Sequence, residues 1–199
     1  MTHFLLVRHG SHDLLGSTLA GRMEGVGLSA SGREEAERLA GVLERAGITR
    51  LLSSPVQRCR ETAAIIATRI RVPVEPTPEV TEVDFGEWTG RRFAELEGDP
   101  RWLRWNAFRS GAVTPGGESM QQVQLRMVTH LERIRREEPT GTVAVIGHAD
   151  PIRATLAWAL GMTLDLMLRL EVAPASLSRL ELAEWGVRVL SVNERVPAA

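Results

Sequence analysis

Apolar and polar residues alternate along this chain in blocks that read by turns as strands and helices. His3 to Val7 is a short apolar run ended by Gly10, with the length and flanks of a buried strand. Ser29 or Ser31 can cap a helix running through about Ala46. Ala36, Leu39, Ala40, Leu43 and Ala46 recur there at helical spacing, and Gly47 closes it. Arg50 to Ser53 predicts a second strand, and Pro55 stands where a first-turn proline belongs, opening a helix to about Ile70. Val72 to Glu75 predicts a third strand. Short helices carrying Trp102 and Trp105 are expected from about Thr89 to Gly111, and a long helix from Glu118 to Glu137, stopped by Pro139. Thr142 to Ile146 predicts a fourth strand and Asp150 to Leu160 a further helix. Leu177–Leu182 and Val187–Val192 flank Glu184-Trp185-Gly186 as a hairpin.

This alternation predicts an α/β fold: a three-layer α/β/α sandwich whose central sheet is mostly parallel, with an antiparallel edge strand from the hairpin. No repeat, low-complexity tract or linker interrupts it. One domain over residues 1–199 is therefore expected, with a small helical cap inserted at about residues 89–115.

Composition narrows the chemistry. The chain has 199 residues with 24 basic against 25 acidic, a formal net charge of -1, which argues against a nucleic-acid partner held by a broadly basic surface. All 24 basic residues are Arg, so Schiff-base catalysis and a Walker-type phosphate loop, which need lysine, are excluded. The one cysteine, Cys59, excludes an internal disulfide and a thiolate zinc cluster. A cysteine phosphatase would need an Arg six positions after it, where Ile65 stands, so Cys59 reads as a small buried residue. The apolar run from Ala154 to Leu164 is too short to span a membrane, and Arg8 and His9 follow the N-terminus too soon for a signal peptide. The expectation is a cytoplasmic protein without a membrane partner; a homodimer stays open.

The predicted strand ends are polar. Arg8, His9, Gly10, Ser11 and His12 follow the first, Ser53 and Ser54 the second, with Arg58 one helical turn on. An acidic loop with Glu82, Asp84 and Glu87 follows the third, and Gly147, His148, Ala149 and Asp150 follow the fourth. Taken alone, a strand-end Arg is more often a surface ion pair, a lone His is usually structural, and the acidic residues could be a solvated loop. Together they fall where open α/β sheets bind ligands. Two guanidiniums and two imidazoles suit phosphoryl transfer: Arg binds phosphate oxygens in pairs, a neutral imidazole can attack phosphorus, and a carboxylic acid can protonate the leaving oxygen. No metal or other cofactor is required.

These residues resemble the signature of the histidine phosphatase superfamily, the phosphoglycerate mutase-like family. The resemblance begins at Leu6-Val7-Arg8-His9-Gly10 and runs through Gly21-Arg22, Leu28-Ser29, Ser53-Ser54-Pro55-Val56-Gln57-Arg58 and Thr62-Ala63. It continues through Glu82-Val83-Asp84-Phe85-Gly86-Glu87-Trp88 and Pro115-Gly116-Gly117-Glu118-Ser119 to Gly147-His148-Ala149-Asp150. It implies that His9 is the nucleophile, Arg8 and Arg58 the phosphate clamp, His148 the second histidine donating to phosphoryl oxygens, and Glu82 the general acid and then base. Gly10 would let the backbone pass close to the nucleophile, and its carbonyl would hold the His9 tautomer. Gly10, His12, Arg22 and Ala149 are candidate substrate contacts. The family's usual Glu after Arg-His-Gly is Ser11 here, and Leu15 stands near the place of a common asparagine. His12 is then either a substrate or carboxylate contact or a solvent-facing replacement.

The resemblance implies a metal-independent phosphomonoesterase acting on a small phosphorylated metabolite. A mutase-type transfer and a non-catalytic regulator on the same fold are the alternatives. Trp102, Trp105 and Phe108, interleaved with Arg101, Arg104 and Arg109, read either as packing of the cap or as a lid where an Arg meets a second anionic group. Ser119 reads as a helix cap, and Glu118 suits the positive helix N-terminus. His130 reads as a surface residue, and His3, His9 and His12 offer no metal-ligand cluster.

Overall fold

A computed structural model describes residues 1–197. Six strands form one sheet in the order β3-β2-β4-β1-β5-β6: β1 Thr2–Arg8, β2 Arg50–Ser53, β3 Val74–Pro76, β4 Thr142–Gly147, β5 Leu177–Ala183 and β6 Gly186–Glu194. β1, β2, β3 and β4 are mutually parallel. β5 pairs antiparallel with β1 and β6 antiparallel with β5, so the hairpin closes one edge and only β5 runs against the rest.

Strand alternation builds two cores. Phe4 and Leu6 of β1 point to one face with Leu52, Val143 and Val145, under α5 (Met120–Glu137) and α6 (Ala149–Ala159). Leu5 and Val7 point to the other with Leu51, Ala144 and Ile146, under α1 (Ala30–Leu43) and α2 (Gln57–Ile70). Each face is covered by two helices, which is why the strands read as continuous apolar runs. A third cluster, including Trp88, Leu96, Trp105, Met120 and Met167, packs α3 (Phe93–Leu96) and α4 (Pro100–Ala107) against the neighbouring elements.

Local signals explain the helix limits. Ser29 rather than Ser31 caps α1, accepting from the Gly32 amide. Ser119 forms a reciprocal capping box with Gln122 at the start of α5. α2 starts at Gln57, two residues later than Pro55 suggested, because Val56 is still extended and its amide donates to the Ser54 hydroxyl. The third strand lies at Val74–Pro76 rather than Val72–Glu75. His130 is not a surface residue: it is buried, accepting at Nδ1 from Arg133 and facing Glu79 at 3.6 Å, because its side of α5 packs over the turn at Pro78–Val80. Among the described residues, no helix is long and apolar enough to cross a membrane.

Candidate active site

The register of the sheet brings the site together. β1 and β4 are parallel neighbours with Arg8 opposite Gly147, so the next residues, His9 and His148, leave the sheet side by side. Their ring centroids are 5.2 Å apart, and the His9 amide donates to the Gly147 carbonyl. On the other side of β4, the Ser54 amide donates to Ile146, which aims the start of α2, and with it Arg58, at the same point.

His9 is buried, and its Nδ1–H donates to the Gly10 carbonyl at 2.7 Å. That bond sets the tautomer and leaves the lone pair on Nε2, which accepts from Arg58 Nε at 3.0 Å. Burial, and then the nearby Arg58 and Arg8 charges, hold the imidazole well below its ordinary pKa, so it is neutral at pH 7. Gly10 is required by a close approach: a Cβ there would lie 2.4 Å from the Gly32 carbonyl oxygen. Its amide donates to Thr62 Oγ1, tying the loop after β1 to α2.

Arg58 is a fully buried guanidinium. It also donates to the Gly21 carbonyl and, through Nη2, to Nδ1 of His148 at 3.1 Å, while its Nη1 has no partner. Arg8 donates through Nη1 to the Val172 carbonyl, and its Nε is likewise buried without a partner. Unpaired buried N–H groups on two adjacent cations are costly unless an anion meets them. His148 lies beneath them, fully buried, and its Nε2 is 2.9 Å from Ser54 Oγ. Burial, then Arg58 and His9, keep it neutral as well.

Glu82 completes the centre. Its Oε2 lies 3.6 Å from His148 Nδ1, and its Oε1 accepts from the Val83 amide. Burial first, and then the Asp150 charge, raise its carboxyl to about 7. Near neutral pH it therefore exists in both the protonated and the ionised form, as an acid that later serves as base requires.

Arg8, His9, Arg58 and Glu82 all line one cavity of about 250 Å³ at the carboxyl edge of the sheet. His12 and Ala149 line it too. His12 is buried, its ring centroid 5.5 Å from that of His9, its Nδ1 unpartnered and its pKa lowered to about 4 by burial, Arg58 and Arg8. His148 does not line the cavity, being fully buried against Arg58 and Cys59, and two candidate contacts also lie outside the wall. Gly10 is packed against α1, and Arg22 is held away by the Glu82 carbonyl and the Glu118 carboxylate, at 2.8 and 2.7 Å. Ser11, where the resembling family has Glu, donates from its amide and its hydroxyl to the two oxygens of Glu35. Cys59 is buried against His148, its thiol pushed up to about 12 by burial, and is inert.

The tryptophan-rich segment divides between packing and cavity wall. Trp105 is fully buried packing, whereas Trp102, Asn106 and Arg109 face the cavity. The cavity wall also contains Asp150 and Arg153, which sequence reasoning gave no role. Their signal was the i, i+3 spacing that puts both on one face of α6.

The family model of the histidine phosphatase superfamily (branch 1) matches residues 4–195. The chain belongs to that superfamily, and several of its relatives are named phosphatases. A bifunctional protein of Mycobacterium tuberculosis is 34% identical over 200 residues, covering 97% of this chain and 54% of that protein, so the chain spans about half the length of such relatives. Phosphoserine phosphatase 1 of Hydrogenobacter thermophilus is 30% identical, covering 97% of this chain and 92% of that one. Among solved structures, a mycobacterial glucosyl-3-phosphoglycerate phosphatase superposes with a TM-score of 0.84 at 25% identity, over 96% of this chain and 98% of that one. A structure from Escherichia coli described as a putative alpha-ribazole-5'-P phosphatase shares the fold, with a TM-score of 0.87 at 22% identity over 100% and 98% of the two chains.

Proposed function

We propose that this chain is a metal-independent phosphatase that hydrolyses small phosphomonoesters through a phosphohistidine on His9. The observation that carries this reading is the pairing, on one cavity, of a neutral buried imidazole with a free-electron-pair nitrogen among guanidiniums and a carboxyl raised to about 7.

In the first half-reaction the substrate phosphoryl group takes the Arg58 and Arg8 donors, including those unpartnered at rest. His9 Nε2 attacks phosphorus, the P–O bond to the alcohol breaks, and Glu82 gives its proton to the departing oxygen. In the second, the Glu82 carboxylate takes a proton from water, whose oxygen attacks the phosphohistidine; the P–N bond breaks and inorganic phosphate leaves. Arg8 and Arg58 balance the spread charge throughout. At rest His148 Nδ1 accepts from Arg58, so its proton is on Nε2 beside Ser54 Oγ. Once the phosphoryl oxygens draw Arg58 away, Ser54 can donate to Nε2, and Nδ1, 3.6 Å from Glu82 Oε2, can take up a proton for donation to a phosphoryl oxygen. The phosphatase names of the relatives support hydrolysis over return of the group to a second hydroxyl.

The test is turnover of p-nitrophenyl phosphate with EDTA present. Wild type should release p-nitrophenol and His9→Ala should not; activity surviving in His9→Ala overturns the mechanism. Incubation with 3-phosphoglycerate distinguishes the outcomes further, since inorganic phosphate supports the phosphatase and isomerised product overturns it in favour of a mutase.

A further inference from the structure

The phosphate-binding end does not use all the charge in the cavity. Beyond Arg8 the wall continues into Arg109, at the end of α4, and Asp150 and Arg153 on α6. Asp150 bridges the two guanidiniums, accepting from Arg109 Nη1 on one oxygen at 2.9 Å and from Arg153 Nη1 on the other at 3.0 Å. Arg109 is nearly fully buried, stacked at 4.6 Å on the Trp105 ring and bonded to the Asn106 side-chain oxygen, and its Nε has no partner. Arg153 is a fifth exposed; it donates through Nε to the Leu170 carbonyl and through Nη1 to Asp150, leaving Nη2 without a hydrogen bond.

The charges do not balance. Four guanidiniums line the cavity, and once Glu82 holds its proton the one ionised carboxylate is Asp150, kept below its usual range because Arg109 and Arg153 outweigh its burial. A phosphomonoester dianion neutralises two of the remaining three positive charges. One is left over, and because Arg8 and Arg58 take the phosphoryl group it falls to the Arg109–Asp150–Arg153 cluster in the same cavity wall. A negative charge there would also favour the protonated, proton-donating form of Glu82.

Building on the phosphatase reading, we infer that the Arg109–Asp150–Arg153 cluster is a specificity subsite for an anionic group on the alcohol, so that this enzyme prefers phosphomonoesters whose leaving group bears a carboxylate near the ester oxygen. Arg153 Nη2 is the donor that meets the carboxylate. Asp150 holds both arginines in place and prevents the cluster from becoming a second phosphate clamp, and Trp102 and Leu168 supply apolar wall beside it.

Two substrate pairs differing at the carboxylate test this: 3-phosphoglycerate against glycerol 3-phosphate, and O-phosphoserine against phosphoethanolamine. In wild type kcat/KM should be at least about tenfold higher for the carboxylated member of each pair, the order of one charge-assisted contact. That ratio should fall toward one in Arg153→Met and be largely retained in Arg153→Lys. Equal kcat/KM within both pairs, with p-nitrophenyl phosphate still hydrolysed, overturns the subsite and leaves the phosphatase reading standing. Failure to hydrolyse p-nitrophenyl phosphate at all overturns the phosphatase reading itself. The wild-type ratios decide the matter even if Arg153→Met does not fold.

Discussion

Arg58 donates its Nε–H to Nε2 of His9 at 3.0 Å, so in the resting site the electron pair proposed to attack phosphorus is held by a cation. The incoming phosphoryl oxygens must draw that donor away, which couples nucleophile release to anion binding. Arg58→Ala is expected to lower kcat by about 10²–10³, as for loss of one charge-stabilising donor. Because burial, Arg58 and Arg8 hold His9 well below its ordinary pKa, its ring resonances should stay in the neutral form at pH 6, measured by NMR titration. A His9 that charges near 6.5 would contradict the arrangement.

Glu82 titrates at about 7, raised by burial and by Asp150. In the proposed first half-reaction it donates a proton, so kcat/KM for alkyl phosphates should fall as pH rises through 7. Glu82→Gln should remove that limb and cost about 10²–10⁴ with alkyl leaving groups, but far less with p-nitrophenolate, which departs without a proton. The same shift has a stability consequence. A carboxyl raised in the folded state binds more protons there than in the unfolded chain, so its contribution weakens as pH rises from about 4.5 to 7 and stays unfavourable above. Glu82→Gln should therefore be the more stable protein at pH 8, by at most about 3 kcal/mol. Thermal melts at pH 5 and pH 8 check the sign.

Gly32, in the first turn of α1, allows the loop after β1 to lie against the helix. A Cβ there would sit 2.0 Å from the Ser11 carbonyl oxygen, a backbone atom that cannot swing aside. Gly32→Ala should cost about 1–3 kcal/mol, as overpacking does, and lower kcat by displacing the His9 loop. Denaturant unfolding with matched kinetics measures both.

The bond from Ser11 to Glu35 answers why the resembling family's Glu is missing here: a carboxylate at position 11 would face Glu35 instead of donating to it. Ser11→Glu alone should be destabilised and slow, and Ser11→Glu combined with Glu35→Gln should recover much of the loss. A double-mutant cycle read by melting temperature and kcat measures the coupling. Additive effects would mean that the pair does not position the loop.

The apolar runs at β1, β2 and β4 were legible because strands covered by helices on both faces must be apolar throughout. Arg8, His9, Arg58 and His148 were legible because they follow such runs, whereas Glu82 follows β3 and was set apart from Asp84 and Glu87 only by the family resemblance. Other features escaped. His130 sits among polar neighbours in the chain and is nevertheless buried by a distant turn, and Arg22 stands in a matching motif but is engaged by Glu82 and Glu118. Asp150 gave no sign of bridging Arg109, 41 positions away.

The linear order of residues thus determined the strand and helix plan and which polar residue types follow the strands, since periodicity and residue type are local properties. Only the folded molecule decided that β4 lies between β1 and β2, which sets His148 beside His9, and that a loop carboxyl sits deep enough to hold a proton near pH 7. Those outcomes depend on desolvation and on charges brought close from remote parts of the chain, and neither exists until the layers have packed.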